Sequence, residues 1–186
     1  MTNFLRGTNL YLIGMMGAGK TTVGGLLASE LDYRFWDTDE LIEQMAKTTI
    51  NQIFAEQGEA VFRQLETQVL SELSAYTRLV VATGGGIVLK RQNWSHLHHG
   101  IVVWLDVSAD QLQARLQGDT SRPLLDTDNL GAKLETLLEQ RQHLYAQADV
   151  RVTVTPEETP IAIANRTLTE LSQVIKSDSA PPPVHD

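Results

Sequence analysis

The 186-residue chain contains no cysteine. A disulfide framework, a thiolate zinc site and a cysteine nucleophile are therefore excluded, and the composition suits a reducing compartment. Positive charge is also scarce: 15 Lys and Arg stand against 23 Asp and Glu, a formal charge of −8. A surface of that sign repels polyanions, so nucleic acid is not an expected partner, although a pocket for one small anion needs only a few local arginines. No run approaches the roughly 20 apolar residues of a membrane span. Met1 to Asn9 hold one arginine and no stretch long enough for a secretory signal. The expectation is a cytoplasmic protein without a membrane partner. With 42% hydrophobic and 20% charged residues, the composition is that of a folded chain, and the length fits one domain.

Short apolar runs alternate with longer amphipathic stretches. Asn9-Leu10-Tyr11-Leu12-Ile13 reads as a buried strand, Lys20 to Leu31 as a helix, and Tyr33-Arg34-Phe35-Trp36 as a second strand. Helical spacing follows through Leu41, Ile42 and Met45, in a helix beginning near Glu40, and again from about Glu59 to Tyr76. Leu79-Val80-Val81-Ala82 and Ile101-Val102-Val103-Trp104-Leu105 are nearly unbroken apolar runs, as strands covered on both faces of a parallel sheet require. Val150 to Val154 alternates as a last strand, and Ile161 to Val174 reads as a closing helix. This alternation predicts an α/β domain over residues 1–176 with a parallel sheet. The Pro-rich tail, 177–186, cannot continue a helix and is expected to be disordered. His96, His98 and His99 fall in what reads as a polar, solvated connection and receive no role. Trp36 and Trp104 read as core residues of or beside strands.

Ligands of such sheets bind at the carboxyl ends of the strands. Three unusual segments fall there: Gly14 to Thr21, Asp37-Thr38-Asp39 and Thr83-Gly84-Gly85-Gly86. The first, Gly14-Met15-Met16-Gly17-Ala18-Gly19-Lys20-Thr21, matches G-x-x-x-x-G-K-[ST] between a strand and a helix, the context that makes the motif specific. Its glycines let backbone N–H groups wrap a phosphate, and the following helix adds the positive end of its dipole. Lys20 is placed to reach the β- and γ-phosphates and the Thr21 hydroxyl to bind Mg²⁺. The expected nucleotide-binding residues are Gly17, Ala18, Gly19, Lys20, Thr21 and Thr22. The loop establishes a nucleoside triphosphate but not a reaction, since switches, motors and small kinases all share it. No carboxylate ends the run Leu79 to Ala82, so Asp37 is the expected second metal residue, binding directly or through water. Its duller role is a helix N-cap.

Further elements follow in order: Gly58-Glu59-x-x-Phe62-Arg63-x-x-Glu66, Gly84-Gly85-Gly86, Arg122-Pro123-Leu124-Leu125 and Arg141-x-x-Leu144-Tyr145. With the glycine loop and Asp37-Thr38-Asp39, this series resembles the shikimate kinase family across nearly all of the folded domain. The resemblance implies a three-layer P-loop NTPase fold, with a central five-stranded parallel sheet flanked by helices and a mobile lid at about 115–128. It implies ATP-dependent phosphorylation of the 3-hydroxyl of shikimate, on the route to chorismate and aromatic amino acids, with one Mg²⁺ per subunit and a monomer sufficing. Arg63 and Arg141 would then hold the shikimate carboxylate, the backbone of Gly85 would approach the ligand, and Asp39 would orient the attacking hydroxyl and take its proton. Arg122, in the lid, would stabilise the transferring phosphoryl group as the lid closes and expels water. Lys20, Asp39 and Arg122 are thus the expected catalytic residues, and Arg115 is a further group near the nucleotide.

Arg63 and Glu66, three residues apart on a helix, also fit a surface ion pair of little weight. The motif around them favours Glu66 as the group that orients Arg63. Arg141 also fits a solvated helix position beside Glu139. The chain departs from the family pattern at His143, where proline is usual, and at Gly24-Gly25, costly in a helix. The loop Thr155 to Pro160 lacks the polar or basic side chain often placed near adenine. Two other readings compete: a kinase for gluconate or a nucleoside monophosphate, and a non-catalytic binding protein on the same fold. The set Asp39, Arg63 and Arg141 suits a hydroxylated carboxylate, and Lys20, Asp39 and Arg122 are all present.

Overall fold

Hydrophobic runs and alternating runs sort the strands into centre and edge. β1 (Leu10–Ile13) and β3 (Leu79–Ala82) are buried at every position, and β4 (Ile101–Asp106) is buried except at its ends. β2 (Arg34–Asp37) and β5 (Val150–Thr153) alternate in exposure. The computed structural model, which describes residues 3–117 and 129–178, arranges them as one parallel sheet in the order β2-β3-β1-β4-β5. The unbroken apolar strands are thus the three covered on both faces, and the alternating ones are the edges.

Helices flank this sheet: α1 (Lys20–Leu31), α2 (Thr38–Ala46), α3 (Ile50–Glu56), α4 (Glu59–Ser74), α5 (Arg91–Leu97), α6 (Ala109–Leu116), α7 (Leu130–Tyr145) and α8 (Pro160–Asp178). α1 packs on α8, α4 on α2, α3 and α5, and α6 on α7. The chain leaves β1 for the β2 side and crosses back from β3 to β4, so the crevice between β1 and β3 is the switch point where such sheets bind ligands. Pairing of Leu12 with Ala82, and of Asp37 with Ala82, brings the three unusual segments to one end. At the opposite end buried Asn9 accepts from the Leu79 N–H at 2.9 Å and donates to the Tyr76 carbonyl at 2.8 Å, pinning that register.

Several expectations shift. The second strand starts at Arg34 and ends on Asp37, and α2 begins at Thr38 rather than near Glu40, because Asp37 caps it. Trp36 is 37% exposed, since β2 is an edge strand; Trp104, on β4, is buried as expected. The segment holding His96 is a helix, α5, not a connection. Its His96 ring meets Ser74 Oγ at 3.4 Å, and no metal-binding cluster occurs among the described residues. α3 was also not anticipated, although Thr49 and Gln52 form a capping box at its start, a short signal easily passed over. β5 stops at Thr153, and α8 runs through Ser177 and Asp178; the remaining tail, 179–186, lies outside the described residues. Gly24 has a packing reason: a Cβ there would stand 2.6 Å from the Phe35 ring. Gly25 faces open space.

Candidate active site

The phosphate-loop end of the site is built mostly from backbone. After β1 the chain turns through Gly17 at φ +77°, where a Cβ would also fall 2.9 Å from Leu116 of α6. Glycine is therefore required twice over, by conformation and by space. Lys20, at the first turn of α1, is buried and donates to the carbonyls of Gly14 at 2.9 Å and Met15 at 2.8 Å. Arg115, in the last turn of α6, donates to the carbonyls of Gly17 at 3.2 Å and Ala18 at 3.3 Å, so its guanidinium borders the loop. Thr22 is exposed on the rim of the same cavity.

Asp37 performs two tasks at once. Its Oδ1 accepts from the Asp39 N–H at 2.9 Å, capping α2, while its Oδ2 accepts from the Thr21 hydroxyl at 2.7 Å. The two residues named for metal thus stand side by side, a hydroxyl and a carboxylate of the hard-oxygen type that Mg²⁺ prefers. Thr38, fully buried, accepts from the Gly84 N–H at 2.9 Å and ties α2 to the glycine run after β3.

The opposite end is built from side chains. Along α4, Glu59, Arg63 and Glu66 share one face. Arg63 donates to Glu59 Oε1 at 2.8 Å and to Glu66 Oε2 at 2.6 Å. Arg63 is 8% exposed and Glu66 0% exposed, so the surface ion pair is excluded. Glycine makes room for this pair: a Cβ at Gly86 would overlap the Arg63 guanidinium, and one at Gly84 would lie 2.5 Å from Glu66 Oε1 and 2.9 Å from Asp39 Oδ1. From α7, buried Arg141 donates to the Gly85 carbonyl at 3.3 Å, and the Tyr145 hydroxyl donates to the same oxygen at 2.6 Å. Arg141 is therefore not a solvated helix position, and His143 leaves α7 continuous through Tyr145. The Tyr145 ring stacks on Trp104 at 5.8 Å, fixing α7 to β4.

Burial and charge oppose each other here. Desolvation pushes Glu66 up to about 7; Arg63 pulls it back, Asp39 raises it further and Arg141 lowers it. Burial also works against the charge of Arg63, but Glu66 and Glu59 outweigh it and hold the guanidinium above its ordinary value. Burial pushes Tyr145 up to about 12, Arg141 opposing, so its hydroxyl is a donor throughout the neutral range.

One cavity of about 640 Å³ joins the two ends, lined by Gly17, Gly19, Lys20, Thr21, Thr22 and Asp37 on one side and by Asp39, Arg63, Glu66, Gly85 and Arg141 on the other. Every site residue expected from the sequence touches this cavity or its loop except Arg122, which lies outside the described residues, as does most of the expected lid. Tyr145 and Glu59 were not assigned. Tyr145 stands one helical turn after Arg141, on the same face, which is the spacing that could have identified it.

A shikimate kinase family model matches residues 16–172 of the chain. Among curated proteins, a shikimate kinase of Trichormus variabilis is 61% identical over 97% of this chain and 99% of its own length. Among solved structures, a shikimate kinase from Acinetobacter baumannii in complex with shikimate superposes with a TM-score of 0.87 and 39% identity, covering 96% of this chain and 98% of that one. A gluconokinase from Sinorhizobium meliloti, 19% identical with a TM-score of 0.53 over 94% of this chain and 98% of its own, shares the fold alone. A phosphate loop and two buried arginines facing one another across a single cleft, in a chain with these relatives, place it in the shikimate kinase family, kinases that phosphorylate a hydroxyl of shikimate with ATP.

Proposed function

We propose that the two ends of the cleft divide the reaction between donor and acceptor, with the 3-hydroxyl of shikimate receiving the γ-phosphoryl group. The observation that carries this reading is the convergence of buried Arg63 and Arg141, from separate helices, beside Asp39 in the cavity that begins at the phosphate loop. Buried guanidinium forks suit a carboxylate better than a hydroxyl, and they orient a ring whose hydroxyls then point toward the donor. Asp39 accepts the proton of the attacking hydroxyl as its oxygen bonds to the γ-phosphorus and the bond to the ADP oxygen breaks. Lys20 turns from the loop carbonyls to the β- and γ-phosphates. Arg122 is assigned to the transferring group in the closed lid, and Gly85 offers backbone to the acceptor.

Thr21 and Asp37 are the residues that would hold Mg²⁺, Asp37 directly or through water. Their adjacent oxygens at 2.7 Å fit such an ion, which when bound supplies positive charge against the phosphates. Every required group belongs to one chain, so a monomer in the cytoplasm is sufficient, feeding shikimate 3-phosphate toward chorismate. A coupled ADP-release assay with Mg-ATP and shikimate, gluconate or AMP tests the reading. Turnover with shikimate alone is expected; equal rates with all three acceptors would overturn the assignment of the acceptor end.

A further inference from the structure

The acceptor end carries more negative charge than its arginines balance. Arg63 pairs with Glu59 and Glu66, and the cavity as a whole is lined by the carboxylates Asp37, Asp39, Glu40, Glu43 and Glu66 against the cations Lys20, Arg63, Arg115 and Arg141. Arg63 already serves two carboxylates, Glu59 at 2.8 Å and Glu66 at 2.6 Å. An anionic acceptor brings a third carboxylate to that guanidinium. Glu59 has an easy response, because its side chain is 53% exposed and can turn to water. Glu66 has none: it is 0% exposed and held at the base of the site.

The geometry of Glu66 leaves one place for a proton. Its Oε2 is taken by Arg63, while its Oε1 is buried and has no hydrogen-bond partner among the described residues. That oxygen lies under Gly84, 2.5 Å from the point a Cβ would occupy, and Asp39 Oδ1 borders the same point at 2.9 Å. Oε1 and Asp39 Oδ1 thus border the same point, and Oε1 is the Glu66 oxygen left open to a proton. Beyond Arg63, the counter-charge that acts on Glu66 from the remaining elements is Arg141 of α7. The glycine run and the turn Ile87–Leu89 carry no charged side chain. His96 of α5 meets Ser74 at the far end of α4, and from α7 the ionisable groups facing Glu66 are Arg141 and Tyr145.

Resting on the placement of the acceptor carboxylate between Arg63 and Arg141, we propose that Glu66 takes up one proton from solvent, on Oε1, when the acceptor binds. Arg63 then exchanges one carboxylate partner for another while keeping its hydrogen bond to Glu66 Oε2, and the site never holds the full excess of negative charge. Glu66 is thus a positioning residue whose protonation links acceptor affinity to pH. Its position near neutrality, at about 7 before any acceptor arrives, makes the uptake measurable. A further anion moves it upward.

Calorimetric titration of shikimate into the full chain, in buffers of differing ionisation enthalpy, counts the protons. The expected uptake is roughly half a proton near pH 7, rising toward one near pH 8, with acceptor affinity falling as pH rises through that range. Glu66→Gln keeps a carbonyl for Arg63 and should bind shikimate with the uptake reduced to near zero, while Glu59→Gln should retain it. No uptake by the wild-type chain at either pH, or an uptake unchanged in Glu66→Gln, would overturn the inference. Should Glu66→Gln fail to bind, the carboxyl carbon resonance of Glu66 in the wild-type chain, followed through pH with and without shikimate, decides the matter: an upward displacement supports the proposal, and an unmoved titration refutes it. Arg63→Ala separates the two levels. If it leaves shikimate affinity intact, the placement of the carboxylate itself is wrong; if affinity collapses but no proton is taken up by the wild-type chain, only the role of Glu66 fails.

Discussion

The two ends of the cleft are made in opposite ways. At the donor end a contiguous segment, Gly14 to Thr21, wraps its own backbone, and its principal side chain, Lys20, bonds carbonyls five and six residues back. At the acceptor end α2, α4, the run after β3 and α7 each contribute one to three groups. Its Arg141 reaches Gly85 across 56 residues of sequence. The donor end is a local structure that any strand-loop-helix of this pattern forms. The acceptor end exists only when four elements are packed, and its charges are buried, so it couples chemistry to the stability of the fold.

Substitutions at the two ends should separate accordingly. The largest effect is expected for Lys20→Ala, which removes charge from the transferring group and should lower kcat by about 10²–10³-fold while sparing shikimate affinity. A variant with normal kcat would remove Lys20 from the reaction. Arg63→Ala should lower kcat/KM for shikimate by about 10²-fold and leave nucleotide binding nearly intact, because its loss strands Glu66 in the acceptor end alone. Loss of nucleotide binding in that variant would erase the division into two ends.

The buried carboxylate should also be visible in stability. Burial pushes Glu66 from its ordinary 4.5 up to about 7 in the folded chain, so the folded state binds the proton more tightly than the unfolded state. Its contribution is fully present below about pH 4.5 and is lost as pH rises toward 7, by up to about 3 kcal/mol. Relative to Glu66→Gln, the wild-type chain should therefore lose Tm across that window and change little outside it; parallel curves would deny the shift. Gly84→Ala presses a methyl group onto Glu66 and Asp39, and should cost about 1–3 kcal/mol in urea unfolding. Gly25→Ala, on the other face of the donor helix and meeting nothing within 4 Å, should stabilise by up to about 1 kcal/mol without altering either KM. A destabilised variant would reveal a packing constraint at that site.

The same divide separates what the residues reveal from what they hide. All five strands were legible, because continuous or alternating hydrophobicity is written over four to six residues. The short helices α3 and α5 were not, since seven residues give scarcely two turns of periodicity. Trp36 misled because a tryptophan in an apolar run reads as core, and nothing local says that β2 ends the sheet. Arg63 and Glu66 were ambiguous for a related reason: three-residue spacing is the same on a surface and in an interior, and the family pattern rather than the spacing pointed inward.

The residues alone determined the parallel α/β order and the phosphate loop, because glycine spacing and hydrophobic period act between near neighbours, while Asp39, Arg63 and Arg141 were named through the resemblance to the family. Tertiary structure decided what those groups became. It turned Asp37 toward both Thr21 and the Asp39 N–H, gave Gly24 the Phe35 ring to accommodate, and sealed Glu66 from water behind Arg63. Desolvation is a property of everything packed around a group, and that neighbourhood is assembled from segments far apart in the chain.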